Sequence, residues 1–223
     1  MSELYKWRRL NSIPELPGIY GWYYQPIIGR RDIQVMVKTI RRMKSQHQLI
    51  EARQKISSFL QNHVFSYFDE TPYHADLKGP LKPRYTGELS HQSAISNALV
   101  ERIVQNPDMM HYINRVLKNS TPYLSSPIYI GISSNVRRRV LSHQAMIQSG
   151  VESPNKDYHN LDLSNSHKER DQSFAAEVCR RNMDPTNLYV AIELVEEFAE
   201  SDKAPIEAEN LLNRINYPVL GRN

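Results

Sequence analysis

A single cysteine, Cys179, in 223 residues leaves no partner for an internal disulfide and no thiolate set for a zinc site. Any bound metal must therefore take oxygen or histidine ligands. The eight histidines show neither His-x-His nor His-Glu-x-x-His spacing, which argues against a zinc centre built on them. No Gly-x-x-x-x-Gly-Lys loop is present, so nothing points to ATP use. Also missing is any run near the roughly 18 apolar residues of a membrane span, and the start, from Met1 to Ser12, lacks the apolar middle of a signal peptide. The expectation is a soluble protein with a cytoplasmic address and no membrane partner.

What is present is a globular composition, 40% apolar and 23% charged with a mean hydropathy of −0.58. The length suits one elaborated domain or two small ones. The net charge of +4 is unevenly spread: residues 25–126 carry 14 basic against 8 acidic side chains, and the rest of the chain is slightly acidic. A basic surplus confined to one internal segment points to a polyanionic partner, of which nucleic acid is the commonest. A merely solvated surface is the plain alternative.

Three stretches read as strands. Pro17 to Tyr24 and Pro127 to Ile132 are aromatic and β-branched with a proline at the start, where its missing N–H matters least. Asn187 to Val195 alternates Leu188, Val190, Ile192 and Leu194. A helix is expected after the second strand, capped by Ser134 or Asn135 and running to about Ile147. Another runs from about Pro205 to Asn216 with Ala208, Leu211, Leu212 and Ile215 as its packing stripe, stopping before Pro218. Between the first two strands, Asp32 to Phe65 and Ser93 to Leu117 have helical periodicity, while Asp69 to His91 reads as an irregular loop and 148–171 as a flexible one. The expected fold class is α+β: a small three-stranded antiparallel sheet flanked by helices, formed by residues 1–24 and 126–223, with a mainly helical insertion over 25–125.

The chemistry-bearing residues lie at the strands and beyond. Gly18-Ile19-Tyr20 and Tyr129-Ile130-Gly131 resemble the two signature tripeptides of the GIY-YIG nuclease family. A specified triplet arises by chance about once in several thousand positions, so finding both in one short chain is informative. The run from Tyr129 to His143 is similar to the family segment in which an arginine follows the second tyrosine by ten residues and a histidine or tyrosine comes four later, here Arg139 and His143. The family also ends in a helix whose metal-binding glutamate stands about nine residues before a proline, and Glu209 stands nine before Pro218. Two departures are visible: Gly221 stands where an asparagine is usual, and the insertion separates motifs that compact members join by a short hairpin.

The resemblance implies phosphodiester hydrolysis with Mg²⁺ (or Mn²⁺) as cofactor, DNA as partner, and catalytic roles for Tyr20, Tyr129, Arg139, His143 and Glu209, the last as metal ligand. These types suit the reaction, which needs an activated water and stabilisation of the charge gained by the phosphoryl oxygens. Arg139 and His143 are i and i+4 on one helix and share a face. Asn213, four residues after Glu209, could orient it. In the insertion, Arg30, Arg31, Lys38, Arg41, Arg42 and Lys44 form a basic run suited to a phosphate backbone, to which Arg137 and Arg138 add on the other side of the motifs. An insertion within the core resembles restriction-type members, for which a homodimer is compatible. The alternatives are a repair, RNA or branched-DNA nuclease, or a nucleic-acid-binding protein without catalysis.

Overall fold

The structure, a computed structural model, describes residues 3–70, 72–79, 82–90, 95–150, 174–195 and 204–221. It divides into two compact units, Met1–Pro26 with Val116–Asn223 and Ile27–Arg115. The expected loop over 148–171 lies outside the described residues from position 151 onward.

In the first unit, β1 (Glu3–Lys6), β2 (Gly18–Tyr24), β5 (Tyr129–Ser133) and β6 (Leu188–Leu194) form one antiparallel sheet in the order β1-β6-β2-β5. The sheet thus has four strands where three were expected. The extra strand, β1, is a four-residue, largely exposed edge whose only pairing among the described residues is with β6, and so short and polar a segment carries no alternation to read. The central strand, β2, places Tyr20, Trp22 and Tyr24 on one buried face. Burying aromatic side chains of this size is worth about 1.5–3 kcal/mol each.

The helices of this unit are α5 (Val136–Gln148), α6 (174–180) and α7 (Ala204–Asn216). Asn135 caps α5 by accepting the Arg138 backbone N–H at 2.9 Å. Val136, Val140, His143 and Ile147 form the buried stripe of α5, which packs on β2 and β5. On α7 the expected stripe is corrected: Leu211 and Ile215 are exposed, while Glu209 is buried. The opposite face of the sheet carries Tyr23 stacked on Tyr189, with ring centroids 5.2 Å apart. The Tyr189 hydroxyl donates to the Thr121 carbonyl at 3.0 Å. Burial, which outweighs the lowering hydrogen bond with Ser125, pushes this phenol up to about 12 with a smaller push from the nearby Tyr23, so it stays protonated as a structural donor.

The second unit holds α1 (Arg30–Ser45), α2 (Leu49–Leu60), β3 (Tyr73–Gly79), β4 (Lys82–Leu89) and α3 (Asn97–Gln105), and α4 (Met109–Leu124) begins in it. Its helical core is built from Ile33, Val37 and Ile40 of α1, Ile56 of α2 and Ile103 of α3. The segment expected to be an irregular loop is a β-hairpin, with Tyr73 opposite Leu89 and Leu77 opposite Tyr85. Residues 73–79 and 84–89 are almost all exposed, so no buried run marks the strands in the sequence.

Candidate active site

Pairing of β2 with β5 sets Tyr20 opposite Gly131 and Trp22 opposite Tyr129. Side chains alternate across a sheet, so these positions share one face. Gly131 is there for space: a Cβ on it would stand 2.6 Å from the Tyr20 hydroxyl oxygen and 2.7 Å from its Cζ. The Tyr20 ring lies over a gap that only glycine leaves open, with its centroid 6.2 Å from that of Tyr129.

α5 brings His143 onto the same face. The imidazole is fully buried and meets the rings of Tyr20 and Tyr129 edge-on at centroid distances of 5.8 and 5.5 Å. Phe174 of α6 closes against it at 5.2 Å. Trp22, also fully buried, donates its indole N–H to His143 Nδ1 at 3.0 Å. Arg139 sits one turn before His143 on α5, half-buried with its Nε out of contact with solvent. The neighbouring arginines differ: Arg137 pairs with Glu15 at 3.1 Å, and Arg138 is exposed.

α7 packs against β5. The turn after it is tied to that edge by the Leu220 N–H donating to the Ile128 carbonyl at 2.7 Å. Gly221 lies on Tyr129, where a Cβ would meet the ring at 3.4 Å. On this helix the Glu209 carboxylate is buried and Glu207 is exposed. Asn213, one turn on, is half-buried, and its Oδ1 is buried without a hydrogen-bond partner among the described residues.

Among the described residues no three His, Cys, Asp or Glu side chains form a group that could hold a metal. A magnesium site needs no such cage, because the ion keeps several waters and takes one or two carboxylates together with phosphate oxygens. Glu209 supplies one buried hard oxygen donor, and the free acceptor on Asn213 suits a water bound to such an ion. The donor set therefore fits Mg²⁺.

In the second unit, α1 turns Ile33, Met36, Val37 and Ile40 inward. With 100° per residue, Arg31, Lys38 and Arg42 fall in a narrow stripe on the opposite side, all exposed. Arg30 is exposed at the first position of the helix. Arg41 and Lys44 have other engagements, Arg41 with the Asp108 carboxylate and Lys44 with the Gln105 carbonyl at 2.9 Å. Trp22 and Phe174 are the site residues that motif reading passes over. For Trp22 a signal existed, since it follows Tyr20 by two residues on the same strand face.

No protein-family model, curated protein or solved structure matches the chain. Among the described residues no helix is long and apolar enough to cross a membrane.

Proposed function

We propose that the chain is a Mg²⁺-dependent DNA endonuclease of the GIY-YIG type, of restriction or defence role, acting in the cytoplasm. The observation that carries this reading is the meeting of Tyr20, Tyr129 and His143 on one sheet face, with Arg139 one helical turn away. Strand pairing brings side by side two motifs whose tyrosines, Tyr20 and Tyr129, are 109 residues apart in the chain, and this supports reading them as parts of one phosphodiesterase site.

In this reading the phosphate docks against Arg139, whose fixed charge and forked donors suit phosphoryl oxygens that gain negative charge during attack. Tyr129 orients and deprotonates the attacking water, with Tyr20 beside it. An unperturbed phenol titrates near 10, so a tyrosine base works only with positive charge at hand, a need that Arg139 helps to meet. Glu209 would hold the metal, and Asn213 would orient a water of its shell. A Mg²⁺ or Mn²⁺ ion held there would supply Lewis-acid stabilisation of the charge that develops during hydrolysis. The exposed stripe Arg31, Lys38 and Arg42 offers contacts to the phosphate backbone.

The test is nicking of supercoiled plasmid. Cleavage with Mg²⁺ that stops in EDTA is expected. Tight DNA binding without cleavage in any divalent metal would make the protein a binder, and cleavage confined to RNA or branched DNA would reassign the substrate.

A further inference from the structure

We propose that Trp22 is a positioning residue: its indole N–H holds His143 in the tautomer with the proton on Nε2, so that this histidine works as a hydrogen-bond donor and not as the base. The proposal rests on the nuclease reading above and adds a division of labour to it.

The argument starts from what each ring can do. Indole Nε1 is a donor only, whereas a neutral imidazole has one donor and one acceptor nitrogen. With Trp22 Nε1 at 3.0 Å from His143 Nδ1, the lone pair must be on Nδ1. The ring proton is then on Nε2, and the lone pair on Nδ1 is occupied by the indole. No lone pair of the neutral imidazole remains to take a proton from water, while Nε2–H can donate to a phosphoryl or phenol oxygen. Proton removal from water falls to the tyrosine pair.

The indole is held in place by its surroundings. Trp22 is fully buried on the central strand, with Trp7 at 6.0 Å, Phe174 at 5.6 Å and the His143 ring stacked at 6.1 Å. Neither ring can turn to the other tautomer's geometry without moving these neighbours, and a Trp22 N–H deprived of His143 would be a buried donor with its partner lost. A side chain present only for packing would serve equally well without the N–H. That difference makes the role testable.

The first measurement uses the wild-type protein: long-range ¹H–¹⁵N correlation of the imidazole rings in mildly alkaline buffer, where unperturbed imidazole is neutral, with His143→Gln to assign the signals. His143 Nδ1 is expected at a pyridine-type shift and Nε2 at a pyrrole-type shift. The second replaces Trp22 site-specifically with benzothienylalanine, which keeps the bicyclic shape and puts sulfur where the N–H was, and with Trp22→Phe alongside. The expected results are a mixed tautomer signature and a kcat for nicking about tenfold lower or more, the scale for losing a partner that orients a functional histidine, with KM changed less than about twofold. A pyrrole-type Nδ1 in the wild type overturns the proposal, as does an unchanged kcat once the indole N–H is gone. Normal cleavage with the wrong tautomer would remove the Trp22 role and leave the nuclease reading standing. A wild-type protein that never cuts would remove both, whatever the NMR pattern.

Discussion

Gly131→Ala tests the packing of the two tyrosines directly. The added methyl would stand 2.6 Å from the Tyr20 hydroxyl oxygen, 2.7 Å from its Cζ and 3.0 Å from Tyr129 Cε1. The closest of these is roughly 0.7 Å inside an ordinary C···O approach. The phenol cannot yield freely, because Tyr20 is fully buried and any shift is passed to the His143 ring at 5.8 Å. Forcing a methyl into a filled core costs about 1–3 kcal/mol. Replacing a strand glycine returns about 0.5–1 kcal/mol of backbone entropy. The net expectation is about 1–2 kcal/mol of destabilisation in urea unfolding. A tyrosine displaced by several tenths of an ångström should lower the nicking rate by about tenfold, given that a full ångström can cost about a hundredfold. Gly87→Ala is the control: nothing lies within 4 Å of its added methyl on β4, so stability is unchanged or slightly raised. A Gly131→Ala protein as stable and as active as the wild type would refute the idea that glycine makes room for Tyr20.

Replacing Arg31, Lys38 and Arg42 together by Gln should lower the slope of log K for DNA against log salt by about 2 to 3, since three phosphate contacts are lost. Arg41→Ala should instead leave that slope alone and cost at most about 1 kcal/mol of stability, the scale of an exposed ion pair. Glu209→Gln should abolish metal-dependent cleavage while DNA affinity in gel shift is kept, and Glu207→Gln should retain most activity; the reverse pattern would mean that the wrong flank of α7 has been assigned. Burial alone would raise the Glu177 carboxyl, but hydrogen bonds from Arg180 at 2.6 and 2.8 Å and from Arg181 at 3.1 Å outweigh it and hold the group below its ordinary value. A depressed carboxyl stabilises the fold above its unfolded pKa and loses that contribution as pH falls through the folded one. Glu177→Gln should therefore cost up to about 1 kcal/mol near neutral pH and nothing at acid pH where the wild-type carboxyl is protonated, as read from unfolding midpoints across pH.

The strands β2, β5 and β6 and the helix after β5 are legible because burial on one face stamps a period of two or of about 3.6 on the sequence, whereas the two tripeptides stand out only by their resemblance to a known family. A cap at Ser134 or Asn135 is legible from the short polar side chains there, and the Arg138 N–H on Asn135 decides between them. Where tertiary context decides, the reading failed. β1 is too short and polar to show alternation, and it exists because β6 offers it an edge. Where the side chains of the β3–β4 hairpin are described, at 73–79 and 84–89, nearly all are exposed, so no buried period marks it off from a charged loop. On α7 the apolar residues Leu211 and Ile215 suggested a core stripe, yet the helix turns Glu209 inward and leaves them exposed. Lys38 and Lys44 belong to one basic run, yet on α1 Lys44 falls on the flank of Ile33, Val37 and Ile40 and donates to the Gln105 carbonyl. Nothing in the sequence ties Trp22 to His143, which lies 121 residues away and receives its N–H.

The central claim is that the face shared by Tyr20, Tyr129, Arg139 and His143 hydrolyses phosphodiesters, and Arg139→Ala tests it most directly. In the proposed reaction the charge of Arg139 serves the phosphoryl group as it gains negative charge, so its loss should act on the chemical step more than on binding. Measured side by side in Mg²⁺, the wild type should nick supercoiled plasmid and Arg139→Ala should not, with DNA affinity and urea midpoint close to those of the wild type. Cleavage by Arg139→Ala near the wild-type rate would contradict the account, because the hydrolysis would then be taking place somewhere else on the protein.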